Sequence, residues 1–157
     1  MEQQRCIAKA TELARNAKLK KIHLWRSSCS RDISFKPKKA DITIEIEVSP
    51  LNSDSKNVLP FGCRFDITGV DKDSNKKAFE VSSVFCVVYA IREDYSPTAE
   101  EIEAFGATSA VFNAWPYVRE HAQSATVKMD LPAYVLEPVT ISQLAKATIS
   151  DKDDPQA

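Results

Sequence analysis

An alternation of apolar and polar side chains, repeated over several stretches, constrains the fold of this chain most strongly. The clearest stretch has four apolar positions that alternate with three polar ones: Ile42, Ile44, Ile46 and Val48 against Thr43, Glu45 and Glu47. Successive side chains of a strand point to opposite faces of a sheet, so this strand has one apolar face and one wet face. That pattern is typical of an antiparallel sheet covered on one side.

Three other stretches also predict strands. One begins at Leu19 and is expected to continue irregularly to Phe35, and the one near residue 65 has four apolar side chains on a single side, namely Phe61, Cys63, Phe65 and Ile67. The last, Ala78 to Ile91, is apolar on both faces in its second half. A strand of that kind requires two covers, one from its own domain and one from a neighbouring subunit or a bound partner.

Helical spacing marks both ends of the chain. Residues 1–18 predict an amphipathic helix, and a long helix is predicted after Ser96. Its start is either Ser96-Pro97 or a capping box of Thr98 and Glu101. Its apolar stripe recurs at helical spacing: Val111, Trp115, Val118, Ala122, Ala125 and Met129. At Pro116 the helix either kinks or a new one starts, and Leu131-Pro132 ends it. A short apolar segment follows from Val139 to Ile149, and residues 150–157 are expected to be a disordered tail.

Composition and motifs exclude several classes of protein. The 157 residues suit one domain, and the chain has no long uncharged apolar run and no secretory signal at its N-terminus, so a cytoplasmic protein that does not cross a membrane is expected. The four cysteines form no close pair, which argues against a metal site or disulfide framework, and three glycines argue against a phosphate-binding loop. The adjacent Arg119, Glu120 and His121 point in different directions on a helix. We therefore expect no catalytic residues, no metal and no cofactor.

The charge is unevenly distributed. Residues 1–40 carry eleven Lys and Arg against three Asp and Glu, whereas residues 41–157 carry ten against nineteen. A basic segment can bind nucleic acid, but no nucleic-acid motif and no interleaved aromatic residues accompany it. A solvated helix face is therefore predicted, with no direct contact to nucleic acid.

The segment from Ala104 to Glu120 resembles the long helix of the SecB export-chaperone family. A small-residue run there leads into Pro116 and Tyr117, followed by Arg119 and Glu120. Leu131-Pro132 and residues 136–139 resemble the loop between that family's two helices, and residues 32–35 resemble the end of its first strand. The likeness covers roughly residues 19–149. It implies an α+β fold in which a four-stranded antiparallel sheet packs against the long helix and a short C-terminal helix, here with an extra N-terminal helix.

The resemblance also implies a function. Members of the family bind unfolded chains without ATP, in apolar grooves beside the loop between the helices, and assemble as a dimer of dimers. The client-binding residues expected here are Ile22, Leu24, Trp25, Phe35, Leu131, Tyr134, Val135 and Leu136. The residues expected at the interfaces of a homotetramer are Val111, Trp115, Tyr117 and Arg119.

The sequence departs from the export chaperone in two places, and these departures favour a dedicated client over delivery of secretory proteins to SecA. In the family, acidic residues on the sheet receive a basic segment of the motor SecA, and Asp32 and Glu80 are the candidates for that contact. Lys36 stands where the family has an acid, and a reversed charge repels a basic ligand. The basic N-terminal helix and the segment from Ser96 to Ile102 resemble SecB-like members of toxin–antitoxin–chaperone systems. A holdase with a dedicated client such as an antitoxin is therefore the first hypothesis. A general export chaperone that delivers to SecA is the second, and an adaptor domain that has lost client binding is the third.

Overall fold

The structure, a computed structural model, describes residues 1–150, with side chains as far as Thr148. The predicted tail therefore lies outside the described residues, apart from the backbone of Ser150. The elements follow the predicted order: α1 (Glu2–Asn16), β1 (Ala17–Arg31), β2 (Ala40–Pro50), β3 (Val58–Asp71), β4 (Lys77–Ile91), α2 (Ala99–Phe105), a π-helical segment (Gly106–Ala110), α3 (Val111–Lys128) and α4 (Ile141–Ser150). The predicted α+β fold is confirmed.

The four strands form one antiparallel sheet in the order β1-β4-β3-β2, which makes β1 and β2 the edges. We call the face that the helices cover the inner face and the opposite one the outer face. The inner face carries the predicted apolar parity of the two central strands, with side chains of at most 5% exposure: Phe61, Cys63, Phe65, Ile67, Phe79, Val81, Phe85, Val87, Tyr89 and Ile91. Ile46 is also on this face but is 39% exposed, because its edge strand is covered less completely.

The boundaries of β1 differ from the prediction. The first helix ends at Asn16, and the strand runs from Ala17 to Arg31 rather than from Leu19 to Phe35. Its register against β4 shifts twice, at Lys20 and at Trp25, and each extra residue is a bulge that interrupts the alternation. The strand ends because Asp32 accepts hydrogen bonds from the N–H and the hydroxyl of Ser34, at 2.8 and 2.6 Å, which turn the chain.

The helical layer begins at Thr98, not at Ser96. The hydroxyl of Thr98 accepts from the N–H of Glu101 at 3.2 Å, and the Glu101 carboxylate accepts from the N–H of Thr98 at 2.9 Å. The predicted interruption of the long helix is present, but it lies in the π-helical segment 106–110. Helix α3 continues through Pro116, which is on its exposed side, where water can solvate the carbonyl that loses its partner.

The remaining helices pack at one end of the sheet. Ala10 and Leu13 bury the apolar side of α1, and Gln3 donates to the carbonyl of Ser142 in α4 at 3.1 Å. Helix α4 starts with a second reciprocal cap between Thr140 and Gln143. None of the described helices is both long and apolar enough to cross a membrane.

Candidate functional site

Helix α3 divides the helical side of the molecule into two surfaces. Positions 115, 119 and 126 lie on one side of the helix and positions 117, 121 and 128 on the other, because each residue advances about 100° around the axis. The buried stripe of Val111, Val118 and Ala122 lies between them against the sheet. The two sides contact different elements, so they form two separate candidate sites.

The first side holds the connection from α3 to α4, residues 131–140, which we call the loop. Three side chains of α3 fix its backbone: Trp115 Nε1 donates to the carbonyl of Glu137 at 2.8 Å, Arg119 Nε donates to that of Leu136 at 2.7 Å, and the Thr126 hydroxyl accepts from the N–H of Tyr134 at 3.0 Å. Three bonds to this ten-residue loop hold an irregular segment in one conformation. We call the area of the loop and the neighbouring Phe35 the loop surface.

Arg31 joins the loop to the sheet. From the inner face of β1 its guanidinium donates to the carbonyls of Met129 at 2.6 Å, Asp130 at 3.2 Å and Phe35 at 3.1 Å. The half-buried Phe35 therefore lies beside the start of the loop. Sequence reasoning missed this residue, although a charged residue at an inward position of a strand was a signal for it.

The second side of α3 faces the edge strand β1. The ring of Phe85 lies 6.4 Å from that of Tyr117 and 6.1 Å from that of His121, and Leu24 is the cross-strand partner of Phe85. Leu24 and Tyr117 are 43% and 48% exposed. We call this area the edge surface. It is an apolar strip beside an unpaired strand edge, which is a surface that proteins normally cover.

The structure separates the predicted client-binding residues into two groups. Ile22, Leu24 and Trp25 are on β1, whereas Phe35 and the four loop residues are near the end of α3. Leu24, Trp25 and Val135 are exposed, at 43%, 55% and 48%.

The other members of that set are less accessible. Ile22, Phe35 and Tyr134 are half-buried. Leu131 and Leu136 are 7% and 1% exposed and belong to the core, so in this conformation they are not accessible to a partner. The proline-marked loop folds back on α3, and this buries its leucines.

The predicted interface residues are similarly divided. Val111 and Trp115 are buried, and the side chain of Arg119 is occupied by the loop carbonyl. Among these four residues, Tyr117 alone presents a large exposed side chain. Its position on the edge surface makes it the residue available to a second copy.

The two predicted acidic contacts lie at one end of the sheet. The N–H of Asp32 bonds to the carbonyl of Ala78, two residues before Glu80. Hydrogen bonds from Ser34 hold the pKa of Asp32 below its usual value, so its carboxylate is ionised. Glu80 pairs with Lys77, and Lys36 lies 3.5 Å from Asp130.

Metal ligands, cysteines and histidines are the remaining candidates for chemistry among the described residues. Among residues 1–148 no cluster of three or more His, Cys, Asp or Glu side chains could hold a metal. Burial raises the pKa of the Cys63 thiol to about 12, which keeps it protonated. His121 has a buried Nε2 without a hydrogen-bond partner, and burial lowers the pKa of its imidazole, so the ring is neutral at pH 7. Its ring contacts the edge surface rather than an acid or nucleophile.

Comparison with known proteins gives two kinds of match, although no model of a protein family matches the chain. Two proteins named SecB-like chaperone, MT2006 and Rv1957 from two strains of Mycobacterium tuberculosis, are each 27% identical over 144 residues, covering 80% of this chain and 78% of the relative. The chain is similar in sequence to SecB-like chaperones. The resemblance predicted from Pro116, Tyr117, Arg119 and Glu120 is thereby confirmed.

The fold of this chain agrees with a solved structure. That structure is of the Mycobacterium tuberculosis Rv1957 SecB-like chaperone in complex with a ChAD peptide from the Rv1956 HigA1 antitoxin. It superimposes with a TM-score of 0.69 and 20% identity, covering 88% of this chain and 98% of the other. At that identity the match shows a shared fold, which extends over nearly the whole of the neighbour.

Proposed function

We propose that this SecB-like chain is an ATP-independent chaperone that holds a non-native segment of a dedicated client, such as the antitoxin of a toxin–antitoxin system. The observation that carries the proposal is the exposure of Trp25 on the edge strand and of Val135 on a loop whose backbone hydrogen bonds hold in place. The named relatives support it, as does the antitoxin peptide bound by the structural neighbour. No reaction is catalysed in this proposal.

Fixed apolar side chains suit a holdase. A loop that is already ordered loses little conformational entropy when a client binds, so more of the contact energy appears as affinity. Each exposed side chain contributes about 1.5–3 kcal/mol if a client buries it fully. Several such contacts along one extended client add by avidity, while each alone remains weak and reversible.

We assign a different role to the loop surface and to the edge surface. We assign the loop surface, with Phe35, Tyr134 and Val135, to the client together with Trp25. We assign the edge surface, with Leu24 and Tyr117, to contact between copies in a homotetramer, because an apolar strip along an unpaired strand edge is otherwise a site of uncontrolled pairing. Light scattering after gel filtration tests the second assignment: Tyr117→Asp should give a smaller species.

The test of the chaperone function uses an unfolded model protein. The wild-type chain should suppress aggregation of a urea-denatured protein after dilution, without ATP. Trp25→Asp and Val135→Asp should reduce this suppression severalfold. Val127→Asp is the matched control, since Val127 is 56% exposed but points to solvent from the side of α3 opposite the sheet. Equal loss in all three variants, or no suppression by the wild type, contradicts the proposal.

The dedicated client is tested separately. Mild affinity purification of the chain from its native host should retain one small partner in stoichiometric amount, and Val135→Asp should release it. Retention of SecA with many secretory precursors, lost on Asp32→Lys, would instead support the export chaperone. Leu136→Asp is unsuitable for either experiment because that side chain is in the core.

A further inference from the structure

The outer face of the sheet carries a row of basic side chains along β1. At four outward positions the strand has Lys18, Lys21, His23 and Arg26, and all four are exposed. Their cross-strand partners on β4 are, in the same order, Ala90, Val88, Cys86 and Val84. We call the four side chains of β1 the basic border and their four partners on β4 the apolar row. The two run side by side over four successive pairs of the outer face.

The apolar row continues onto β3. Pro60 is the partner of Val88, and Gly62 is the partner of Cys86. The side chain of Leu51 lies over Gly62, 3.4 Å from the position of a Cβ there. The row is half-buried, so it keeps solvent-accessible apolar area on the face opposite the helices. This is the second apolar face of β4 that its sequence predicted.

The described residues provide few partners for the basic border. Among the described residues, no ion pair includes Lys18, Lys21 or Arg26. The carboxylates of the outer face lie away from Lys18 and Lys21, and two of them, Glu47 and Asp66, stand next to Arg64: the full set is Asp41, Glu45, Glu47, Asp66 and Glu80. Positive charges grouped without partners raise the local potential and attract an acidic ligand.

Two guanidinium groups meet at one end of the border. Arg26 and Arg64 flank Val84 from either side and line a shallow depression of about 250 Å³ together with Ser27, Ser28 and Ser82. The guanidinium of Arg26 also lies 5.4 Å from the centre of the Trp25 ring, and Arg64 bonds to Asp66 at 2.8 Å. The Ser82 hydroxyl also bonds to Asp66, so the donors left for a ligand in this depression are those of Arg26, Ser27 and Ser28. Guanidinium and hydroxyl donors side by side suit a carboxylate, which accepts from both.

We propose that this half of the outer face docks an acidic and apolar polypeptide segment of a partner protein. Its carboxylates would lie over Lys18, Lys21 and the depression between Arg26 and Arg64, and its apolar side chains over Val84, Cys86 and Val88. A basic segment is repelled by the same border. The surface is on the opposite side of the sheet from the loop surface, so the proposal does not depend on client binding.

Fluorescence anisotropy with three labelled twelve-residue peptides tests the proposal. One intersperses Glu with Leu, the second replaces Glu by Lys, and the third replaces Leu by Ser. The Glu–Leu peptide should bind at least tenfold more tightly than either other peptide, which corresponds to about 1.4 kcal/mol. Lys21→Glu with Arg26→Glu should weaken it by tenfold or more. Lys36→Glu with Lys38→Glu is the control of equal charge change, on the connection to β2, and should have little effect.

Two further outcomes overturn the proposal. If both charge-reversed variants weaken binding equally, the peptide responds to net charge and not to this face. If Val135→Asp abolishes binding while Lys21→Glu with Arg26→Glu does not, the peptide occupies the loop surface. Because suppression of aggregation tests the chaperone function and peptide binding to Lys21→Glu with Arg26→Glu tests this face, failure of either proposal leaves the other standing.

Discussion

Arg119 Nε donates a hydrogen bond to the carbonyl oxygen of Leu136 at 2.7 Å, and this bond joins the long helix to the loop that follows it. Arg119 is only half-buried, whereas Leu136 is 1% exposed. The bond therefore ties a partly accessible side chain to backbone beside the core.

Removal of this bond should destabilise the protein. Arg119→Ala leaves the Leu136 carbonyl without its donor, and we expect a loss of about 1–3 kcal/mol in the free energy of unfolding. Urea denaturation measures this loss. Arg119→Lys keeps the charge but not the geometry of Nε, so it should lose nearly as much. Wild-type stability of the lysine variant would mean that the positive charge at position 119, and not this hydrogen bond, stabilises the protein.

Arg31 should hold the loop surface in its conformation. It should not itself bind a client, because its hydrogen-bond donors are already used within the protein. Its guanidinium is satisfied by the carbonyls of Phe35, Met129 and Asp130. In Arg31→Lys the donors lie on a single nitrogen, which cannot reach the carbonyls that the two ends of the guanidinium contact. Amide exchange in residues 131–138 should therefore become faster, and suppression of aggregation should weaken. Arg15→Lys, at an exposed arginine of α1, is the matched control and should leave both measurements unchanged. Unchanged exchange together with lost activity would show that Arg31 acts directly on the client.

The sequence predicted the central sheet well because burial enforces alternation there. The side chains of Phe61, Phe65 and Phe85 lie on the inner face of the sheet. A shift of the strand register by one residue would turn them to the outer face. On the edge strand β1 that constraint is weak, so bulges at Lys20 and Trp25 were tolerated and its boundaries were mispredicted. An edge strand can lose its register locally without exposing a core side chain.

The site was harder to predict because the loop has no periodicity. Leu131, Val135 and Leu136 have similar side chains, yet Val135 is 48% exposed and the two leucines are buried. The difference comes from long-range bonds of Trp115, Arg119 and Thr126 to the loop backbone, which no local pattern reveals. The resemblance located the loop, and only the fold shows which of its side chains are accessible.

Two glycines of β3 should respond oppositely to alanine. At Gly69 a Cβ would lie 2.2 Å from Cε1 of the buried Phe79 ring, so that ring must move. We expect Gly69→Ala to cost about 1–3 kcal/mol in the free energy of unfolding. At Gly62 the nearest atom is Leu51 Cδ2 at 3.4 Å, and Gly62→Ala should be neutral or slightly stabilising. Denaturant midpoints of the two variants test this, and equal midpoints would contradict the predicted packing.

The start of the helical layer offers a second matched pair. Thr98 and Glu101 form the reciprocal cap, whereas Ser96, the alternative start, lies outside it. Thr98→Ala should therefore cost about 1 kcal/mol. Ser96→Ala should stay within about 0.5 kcal/mol of the wild type. A larger effect at Ser96 in thermal or urea unfolding would place the start of the helix two residues earlier.

His121 should make stability depend on pH. Burial lowers the pKa of its imidazole in the folded state below its usual value of 6.5, so the unfolded chain binds a proton more readily. Stability is then complete above the unfolded pKa and decreases as the pH falls from 6.5 toward the folded pKa. Urea midpoints at pH 5 and pH 7.5 should differ more for the wild type than for His121→Gln, which cannot titrate. His23→Gln, which changes an exposed histidine, is the control and should keep the wild-type difference. An identical difference in His121→Gln would assign the pH dependence to other groups.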